Sequence, residues 1–578
     1  MPGSISIRLP KKAEYDLVVI GSGAAGMAAA TFGAMAGSSV LLLERTKFVG
    51  GTSAYSAATT WVPNTRFRDM LGAEDSKENV LAFLDRAVGN RAPRALREAF
   101  VENGPSAIHA LHDETSVKFR GRPFHPDYLH ELEGSTSFGR ALEPEPFDGL
   151  ELGDDLALIR PPIPEFTILN GLQIDRDDIP HLLAMKKKFG SFTYSMRLVA
   201  KYYLQRLRHG RSTRLLMGNA LIGRFLCELK KRDVALAVEA KTEDLQPVGS
   251  GSWRLKVSQR GSSSEIIARQ GVILATGGYG RNPQKREAML PQPTAPYSPA
   301  APGHTGELHD IALRQGAHYG ETNAQPAFWA PVSVRRRADG SEAVFPHFVL
   351  DRSKPGIIAV GRDGKRFTNE TRSYHEFVSA MYAANNDGSH MPVFLIADAR
   401  AIQKYGLGMV RPGTTNLKPF LADGYLNRGG SLAELAAALD IDGDALEATV
   451  DRYNGFVAKG VDKDFHRGET IYERANGDAS HGPNPTLGSL DRGPFYAVSL
   501  WPGDIGAATG LVVDEHARLL REDGTAIDGL YACGADMNSI MGGVYPGPGI
   551  TIGPGIVFGY IAANHAAKSA ISVARQVA

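Results

Sequence analysis

The chain has 578 residues, which is long for a single hydrophobic core and predicts two or more domains. Its formal net charge of +1 gives no general attraction to nucleic acid. The only cysteines, Cys227 and Cys533, are too few for a disulfide framework or a cysteine-based metal site, and they fit a reducing compartment. Because the first residues lack the apolar core of a signal peptide and no run of about 18 apolar residues occurs, we expect a cytoplasmic protein without a transmembrane helix.

The first motif lies close to the N-terminus and predicts a dinucleotide-binding βαβ unit. Leu17–Ile20 is a short apolar run that predicts a buried strand. Gly21–Gly26 follows with the spacing G-x-G-x-x-G, and an alanine-rich helix pattern comes after it. In such units the first glycine permits a tight turn, the second lets the backbone approach a pyrophosphate, and the third lets the helix pack on the strand.

A second predicted strand, Val40–Leu43, ends beside an acidic residue, Glu44. Its carboxylate would accept hydrogen bonds from ribose hydroxyls and repel a 2′-phosphate. The N-terminus of the intervening helix would face the phosphates with its free N–H groups and positive dipole end. Strand, helix and acid together predict nucleotide binding, whereas the glycines alone would also suit an ordinary turn in another α/β unit.

Further glycine-rich stretches along the chain suit loops that lie against a flavin and its phosphates. Gly50–Ser56 combines two glycines with several hydroxyls. An apolar run from Gly271 leads into Ala-Thr-Gly-Gly at 275–278, a pattern typical of the second nucleotide-facing loop of flavoproteins. Gly529–Gly534 and Gly547–Gly553 return to the same character near the C-terminus. Nucleotide signals at both ends, with a different middle, predict an inserted second domain.

The sequence therefore predicts an α/β fold with a discontinuous domain arrangement. We expect a Rossmann-like FAD-binding domain, a parallel sheet with a β-meander over 234–270, to contain residues 1–283 and 490–578. Six prolines between 283 and 302 mark the boundary of an inserted α+β substrate-binding or cap domain over 284–489.

A basic segment lies inside the first predicted domain. Nine Lys or Arg and no Asp or Glu occur between 186 and 214, interleaved with Phe, Tyr, Leu and Met. This composition is typical of a helix that lies on an anionic membrane surface, and we assign 160–215 as a possible membrane-associating segment. A solvated basic helix explains the pattern equally well. Nucleic acid is a weaker interpretation because no recognised binding module accompanies the segment.

Four motifs resemble the fumarate reductase/succinate dehydrogenase flavoprotein superfamily over nearly the whole chain: the opening fingerprint, A-T-G-G-Y-G at 275–280, G-K-R-F-T-N-E at 364–370 and G-L-Y-A-C-G at 529–534. Within it, Y-P-G-P-G-I-T-I-G-P at 545–554 resembles the 3-ketosteroid Δ1-dehydrogenases, as do P-G-D at 502–504, F-H-P-D-Y at 124–128 and E-P-E-P-F-D at 143–148. The resemblance implies FAD as cofactor, a 3-ketosteroid substrate that loses two hydrogens from ring A, and an external electron acceptor such as a quinone. Because no histidine stands clearly placed for a covalent flavin bond, we expect FAD to be bound non-covalently.

The resemblance also implies roles for four residues. The Tyr545 hydroxyl and the Gly549 N–H would polarise the C3 carbonyl as an oxyanion-hole pair. Tyr374 matches the base that takes the C2 proton, and Tyr128 matches the tyrosine that hydrogen-bonds the base and relays its proton. Because a free tyrosine has a pKa near 10, we expect Tyr374 to be acidified. Each tyrosine could instead be a core aromatic residue.

Three departures from the family pattern occur, at Ser56-Ala57-Ala58, at His125, which would lie in the steroid cleft, and at Ala535-Asp536. His125 would either fill space or help to acidify Tyr128. The expected cofactor contacts are Gly21, Gly23, Ala24, Ala25, Gly26, Glu44, Arg45, Gly51, Thr52, Ser53, Ala275, Thr276, Gly277, Gly278, Gly534, Asp536, Ile550 and Ile552. No metal ligands and no nucleic-acid partner are expected.

Alternative functions remain open at this point. The chain could reduce a dicarboxylate or another activated alkene, in which case several arginines and histidines would face the flavin. It could desaturate ketosteroids with a different regiochemistry. It could also be a membrane-associated flavin-binding protein without activity. Arg366 and Arg372 bear on this choice, and we expect them to be solvated or ion-paired. Any membrane contact would be peripheral, on the cytoplasmic face.

Overall fold

The computed structural model describes residues 7–294, 296–337, 339–349, 351–385 and 388–577. Residues 1–6, part of the stretch expected to lack a signal peptide, lie outside the described residues. The strands are β1 (Glu14–Ile20), β2 (Val40–Leu43), β3 (Thr60–Trp61), β4 (Phe119–Gly121), β5 (Ala141–Pro144), β6 (Phe147–Asp148), β7 (Arg214–Leu215), β8 (Ala235–Ala237), β9 (Ala240–Gly249), β10 (Ser252–Gln259), β11 (Ser262–Leu274), β12 (Ala327–Arg336), β13 (Glu342–Pro346), β14 (Ile357–Val360), β15 (Val393–Asp398), β16 (Asn427–Gly429), β17 (Phe495–Ala507), β18 (Arg518–Leu520) and β19 (Ala526–Ala532).

The helices are α1 (Ala24–Met35), α2 (Arg66–Met70), α3 (Lys77–Val88), α4 (Arg94–Glu114), α5 (Ile179–Leu183), α6 (Phe189–His209), α7 (Met217–Lys231), α8 (Pro283–Met289), α9 (Glu307–Arg314), α10 (Tyr374–Ala384), α11 (Ala399–Tyr405), α12 (Lys418–Ala422), α13 (Leu432–Leu439), α14 (Gly443–Lys459), α15 (Ile471–Asn476) and α16 (Ile552–Val577). Short 3₁₀ turns lie at Gly51–Tyr55, Gly89–Arg91, Gly149–Leu158, Pro164–Phe166 and Gly534–Asp536.

The first sheet is built around the predicted βαβ unit. Its strands follow the order β18-β19-β11-β1-β2-β8, with β1 parallel to β2 and β11 and with β11 parallel to β19. Strand β2 is buried at every position because both faces of the sheet are covered, which explains its uninterrupted apolar sequence. Strands β9 and β10 extend β11 as an antiparallel meander. This arrangement confirms the predicted α/β class.

The second sheet lies in the middle of the chain and is antiparallel. Its order is β13-β12-β17-β15-β14, and β16 pairs with β17. Together with α10 and α11 it forms the expected α+β part. Strand β17 begins at Phe495, beyond the predicted boundary at 490, yet it pairs with β12 and β15 rather than with the first sheet. The domain boundaries themselves stay a prediction.

The segment 160–215, which includes the basic stretch 186–214, contains α5 and the longer α6, and α6 lies on the surface. Along α6 only Ser191, Ser195 and Tyr202 are buried. Tyr194 and Arg214 tie the segment down by bonding Asp178. Large apolar side chains that remain exposed in this region are Leu169, Ile179, Leu183, Phe189, Phe192, Tyr194, Met196, Tyr203, Leu204 and Leu207. Of the helices in the described part of the chain, none combines the length and apolar character needed to cross a membrane.

Candidate active site

The glycine-rich turn before α1 has the tight geometry that the G-x-G-x-x-G spacing predicts. Gly21 has φ +105, and a Cβ there would lie 2.2 Å from the Ala275 carbonyl oxygen, so the turn packs tightly against the loop after β11. A Cβ on Gly26 would lie 1.9 Å from the Gly21 oxygen. At Gly23 the nearest atom would be Ser53 Oγ at 3.7 Å, which leaves that side open.

The N-terminus of α1 fits the pyrophosphate of a dinucleotide. Helix α1 begins after Gly23 with no side-chain cap and no acidic residue in its first turn. The Ala24 N–H donates to Ser53 Oγ at 3.1 Å, and Ala25 and Gly26 follow in the same turn. Uncapped N–H groups beside an open glycine suit an anion. The residues of this chain therefore fit the FAD that the sequence predicts.

Glu44 and Arg45 follow β2 as predicted, but both side chains already have partners. Glu44 Oε1 accepts from the N–H and the hydroxyl of Thr46, and Oε2 accepts from the N–H and the hydroxyl of Ser22. These four donors occupy the usual acceptor positions of a carboxylate. Arg45 bonds Thr305 and lies 3.5 Å from Glu307. Ribose recognition by Glu44 stays a prediction, since ribose would share or displace these donors.

A buried histidine that sequence reasoning missed lies between two of the predicted loops. His304 Nε2 is 3.3 Å from Thr52 Oγ1, which also accepts from the Ala301 N–H at 2.9 Å. The ring lies so close to Gly277 that a Cβ there would meet it at 2.6 Å. Burial lowers the pKa of His304 to about 4, so the ring is neutral. Its only sequence context is a proline-rich stretch, which carries no spacing signal.

Asp536, one of the departures from the family pattern, joins the A-T-G-G loop to the C-terminal glycine motif. It accepts from the Gly278 N–H at 2.8 Å, from the Thr276 hydroxyl, and from His309 Nε2 at 2.9 Å. Burial opposes its ionisation, but His309 and Thr276 hold the pKa of Asp536 below its usual range. Gly534, with φ +66, brings this motif against Ala25 of α1. His309 was not identified from the sequence.

The three predicted catalytic tyrosines meet in one buried cluster. The Tyr128 hydroxyl lies 3.3 Å from that of Tyr374. The ring centroid of Tyr545 lies 5.5 Å from that of Tyr128, with the rings nearly parallel, and 5.2 Å from that of Tyr374, with the rings nearly perpendicular. Phe348 packs on Tyr374 at 5.1 Å and Phe328 packs on Tyr545 at 5.3 Å. The walls of the cluster are therefore aromatic.

The electrostatics of the cluster oppose the expected acidification of the base. Burial raises the pKa of Tyr374 well above 10, and the neighbouring Tyr128 and Tyr545 add to the shift. Burial also raises the pKa of Tyr128, which Arg122 opposes, and raises that of Tyr545 to about 12. All three tyrosines are thus neutral hydroxyl donors at neutral pH. Burial, with the charge of Arg122, lowers the pKa of His125 to about 3, so His125 is neutral as well.

The loop after Tyr545 presents a backbone donor. Gly549 has φ +92, and a Cβ there would lie 2.2 Å from the Thr59 oxygen, so no other residue fits. Its carbonyl accepts from the Trp61 N–H at 3.2 Å. In the part of the chain that the structure describes, the Gly549 N–H makes no hydrogen bond. Ile550 is buried beside it and Ile552 begins α16.

The G-K-R-F-T-N-E motif holds the chain just before Tyr374. Glu370 bonds Arg366 at 2.8 Å and Arg467 at 3.0 Å, and it accepts from the Ala359 N–H at 3.1 Å. Asn369 donates to Glu473 on α15 at 3.0 Å. Arg366 also pairs with Asp462, and Arg372 pairs with Glu131, Glu376 and Glu473. Both arginines are therefore ion-paired, as the sequence predicts.

Two sets of buried polar contacts, whose partners were not foreseen from the sequence, lie around the other tyrosines. Arg140 bridges Asp75 and Asp127 with 2.7 Å contacts, and Asp127 also accepts from Trp61 Nε1 at 2.8 Å, which fixes the loop that ends in Tyr128. The Tyr128 N–H donates to the Pro546 oxygen at 2.8 Å, which links this loop to that of Tyr545. His375 lies 5.9 Å from the Tyr545 ring and accepts from the Trp329 N–H at 3.2 Å.

Among the described residues no cluster of His, Cys, Asp and Glu could hold a metal ion.

Comparison with known proteins decides the family. A family model described as FAD binding domain matches residues 16–552. This chain belongs to that family. The 3-oxosteroid 1-dehydrogenase of Mycobacterium tuberculosis is 34% identical to the flavoprotein over 96% of this chain and 99% of its own length. The 4-oxocyclohex-2-ene-1-carboxylate 5-dehydrogenase of Sinomonas cyclohexanicum is 34% identical over 98% of this chain and 96% of its own length.

A solved structure agrees with these relatives. The 3-ketosteroid delta1-dehydrogenase from Sterolibacterium denitrificans, in complex with 1,4-androstadiene-3,17-dione, superimposes with a TM-score of 0.89 at 32% identity. The match covers 96% of this chain and 100% of that chain. The predicted resemblance and the predicted cofactor are confirmed: the flavoprotein is an FAD-dependent oxidoreductase related to enzymes that act on CH–CH groups.

Proposed function

We propose that the flavoprotein catalyses the 1,2-dehydrogenation of 3-ketosteroids, from the 4-en-3-one to the 1,4-dien-3-one. One observation carries the assignment. The Tyr545 hydroxyl and the unpaired Gly549 N–H lie in one rigid loop, and the Tyr545 ring packs on the hydrogen-bonded Tyr374–Tyr128 pair. Two donors for a carbonyl oxygen thus stand beside a potential base, inside aromatic walls that suit a flat apolar ring system. The named activities of the relatives support the same reaction.

The residues would divide the reaction between them. When bound, FAD supplies the acceptor for the hydride from C1. Tyr545 and Gly549 would donate to the C3 oxygen as it gains negative charge, which makes the C2 proton acidic; one such donor is typically worth about 10²–10³ in rate. The Tyr374 phenolate would take the C2 proton and become the phenol, and before that step the Tyr128 hydroxyl would stabilise the phenolate by donating a hydrogen bond to it across their 3.3 Å contact. The surrounding phenylalanines keep water away from this charge.

The arginines argue against the dicarboxylate alternative. A dicarboxylate reductase needs free cations near the flavin, but Arg366 is bound by Glu370 and Asp462, and Arg372 by three glutamates. The Sinomonas cyclohexanicum relative is named for a substrate that is also a cyclic ketone. That substrate differs from a 3-ketosteroid in having a single ring and a carboxylate charge. A smaller cyclic ketone is therefore the second candidate substrate for the same donors and base.

An anaerobic spectrum of the purified flavoprotein tests the assignment. Addition of 4-androstene-3,17-dione should bleach the flavin absorbance and yield the 1,4-diene. Bleaching by 4-oxocyclohex-2-ene-1-carboxylate alone would move the assignment to small cyclic ketones. Reoxidation of the chemically reduced flavin by fumarate, with no bleaching by either ketone, would overturn it in favour of an alkene reductase.

We also propose that α5 and α6 attach the flavoprotein reversibly to the cytoplasmic face of an anionic membrane. Seven of the nine basic residues of the segment are exposed: Lys186, Lys187, Lys188, Arg197, Lys201, Arg206 and Arg208. Within the described chain none of these seven has an acidic partner within 4 Å, so their charges are available to lipid headgroups. Phe189 and Leu207, at opposite ends of α6, expose more than four fifths of their surface. Basic and apolar side chains in one exposed helix are typical of interfacial binding.

The segment also reaches the candidate site. Phe166, in the 3₁₀ turn that precedes α5, stacks on Phe345 at 4.9 Å and on Phe348 at 6.4 Å, and Phe348 packs on Tyr374. Glu165 beside it is bonded by Arg337. An apolar substrate and an external acceptor of the quinone type both partition into lipid, so attachment beside the site would place the enzyme where its substrates concentrate.

A further inference from the structure

A row of aromatic rings leads from the protein surface to the candidate base. Phe348 packs on Tyr374 with 5.1 Å between the ring centroids. Phe166 stacks on Phe345 at 4.9 Å and on Phe348 at 6.4 Å, with an angle of 26° between the ring planes in both cases. Tyr374 is buried, whereas the three phenylalanines are each partly exposed to solvent. The row is therefore apolar over its whole length, and Phe166 lies over its outer part.

The 3₁₀ turn Pro164–Phe166 is held against this row by side chains alone. The Phe166 N–H donates to the Ile163 oxygen at 3.0 Å, which is a bond inside the turn. Within the described chain, every backbone-to-backbone hydrogen bond formed by residues 163–172 ends inside that stretch. Because no backbone bond joins the turn to either sheet, it can move without breaking a strand or a helix.

One ion pair fastens the turn to the second sheet. Arg337, which directly follows β12, donates to Glu165 Oε1 from Nε at 3.0 Å and from Nη2 at 2.7 Å. Arg411 adds a contact to the carbonyl oxygen of Thr167. The Arg337 and Glu165 side chains are 35% and 15% exposed, so water reaches the pair. Because solvent-exposed ion pairs contribute little to stability, this one can open and close readily.

We propose that this turn is a gate over the row of rings, held shut by the Glu165–Arg337 pair and opened for each entry of an apolar ring substrate and each release of product. The proposal rests on the proposed function, because it takes Tyr374 to border the substrate site. When the ion pair opens, Phe166 leaves the two rings that it covers, and a flat apolar ligand passes along them toward the tyrosine cluster.

A gate and a wall of the binding site differ in their kinetic signatures. If Phe166 does not touch the bound ligand, a weaker ion pair raises the open fraction of the free and the occupied protein alike. The rate constants of association and dissociation then rise by the same factor, and their ratio, Kd, does not change. A residue that contacts the bound ligand would change Kd instead. Since the gate takes no part in the chemistry, flavin reduction at saturating substrate should keep its native rate.

Stopped-flow binding of 1,4-androstadiene-3,17-dione to the oxidised holoenzyme tests the proposal. This dienone already has the C1–C2 double bond, so it binds without reducing the flavin, and a change in flavin absorbance reports its binding. In Glu165→Gln and in Arg337→Gln we expect both rate constants to rise about three- to fivefold at unchanged Kd. The double variant should resemble either single variant, because the two substitutions remove the same interaction.

Arg335→Gln is the matched control. Arg335 lies on β12 and pairs with Asp423 at 2.7 Å, and its side chain is 26% exposed, but this pair does not involve the turn. Both rate constants should therefore stay at their native values. Phe166→Ala, which removes the covering ring, should raise both rate constants at least as much as the charge variants do, again at unchanged Kd. With 4-androstene-3,17-dione the limiting rate of flavin reduction should stay within about twofold of native in every variant.

The other outcomes separate the gate from the proposed function. Native rate constants in both charge variants overturn the gate, as does an equal rise in Arg335→Gln. A changed Kd in Phe166→Ala also overturns it, since Phe166 would then be part of the binding wall. If one variant loses its FAD, the remaining two decide the question. If the dienone binds with the expected dependence on the ion pair but 4-androstene-3,17-dione does not bleach the flavin, the proposed reaction fails and the gate stands. If neither steroid binds to the native holoenzyme, both proposals fail.

Discussion

Removal of the Tyr545 hydroxyl is the most direct test of the candidate site. Its ring packs against Tyr128, Tyr374 and Phe328 at centroid distances of 5.2 to 5.5 Å, and phenylalanine preserves all three contacts. The hydroxyl interacts with Tyr374 and Thr551. Loss of such a bond costs about 1 kcal/mol of folding free energy. Because the free energy of unfolding of a folded protein is typically about 5–15 kcal/mol, the variant should still fold and bind FAD.

The effect on the reaction should be much larger. If the hydroxyl stabilises the C3 oxygen only as charge develops, Tyr545→Phe should lower kcat by about 10²–10³, equivalent to roughly 3–4 kcal/mol of transition-state free energy. Because burial raises the pKa of Tyr545 to about 12, the hydroxyl remains a donor throughout the range in which the enzyme can be assayed. The ratio of native to variant rates should therefore be the same between about pH 6 and pH 10.

Steady-state turnover and exchange of the C2 proton with deuterated water are the two assays. Tyr545→Phe should slow exchange, and Tyr374→Phe should stop it, since only the second variant lacks the base. Tyr531→Phe is the control, because it removes a buried hydroxyl that bonds His565 at 3.0 Å far from the cluster. Native exchange rates in Tyr374→Phe would refute the base assignment and make Tyr128 the first candidate. A loss in Tyr545→Phe that merely parallels loss of FAD would refute the oxyanion role.

Four further outcomes are expected. Heating should release FAD rather than FMN, shown by chromatography, and protein that keeps its flavin through denaturation would contradict non-covalent binding. The rate of C2 exchange should rise about tenfold per pH unit from pH 7 to 9, because the pKa of Tyr374 lies above 10 and only its phenolate is a base; a flat profile in an exchange assay would contradict this. Co-sedimentation with anionic liposomes should fall with salt and with Lys186–Lys188→Glu, and should also fall with Phe189→Asp at constant salt; indifference to all three would leave a solvated helix. Glu370→Gln should lower the free energy of unfolding by about 3–5 kcal/mol near pH 7, because the buried Arg467 cation would lose the negative charge of its carboxylate partner. Burial opposes ionisation of Glu370, yet Arg366 and Arg467 lower its pKa to about 2, so its stabilisation is present above the unfolded pKa near 4.5 and is lost as pH falls through about 2; thermal melts of native and variant protein should therefore converge in acid.

The nucleotide-binding part could be predicted from the sequence because the interactions that form it are between residues close together in the chain. The turn at Gly21–Gly26, the buried strand β2 and the uncapped start of α1 each follow from residues that are neighbours along the chain. Strand β17 shows the opposite case. Its own sequence does not reveal which sheet it joins, since β12 and β15 lie far earlier in the chain and supply its hydrogen bonds.

The cluster of candidate catalytic tyrosines could be predicted only in part, because it too depends on contacts between residues far apart in the chain. Tyr128, Tyr374 and Tyr545 each lie in a recognisable stretch, but Tyr472 and Phe348 contact them from segments that have no motif. The acceptors of the surrounding arginines are likewise distant in sequence: Arg467 bonds Glu370 and Arg140 bonds Asp75. Long-range packing, rather than local pattern, decides which buried polar groups meet.

In the proposed mechanism, the electrostatics of the cluster would make the base depend on the oxyanion donors beside it. Burial makes the Tyr374 phenolate rare, and each pKa unit above the ambient pH lowers its population tenfold. The same shift makes the phenolate a stronger base, but the gain in proton-transfer rate per unit is smaller than the loss in population, so a buried tyrosine alone would be slow at neutral pH. In the proposed mechanism Tyr545 and Gly549 would act on the substrate side of the proton transfer, because donation to the C3 oxygen would lower the pKa of the C2 proton without altering the base. A site with this base therefore depends on its oxyanion donors more than one with an acidified base would, and Tyr545→Phe should be correspondingly damaging.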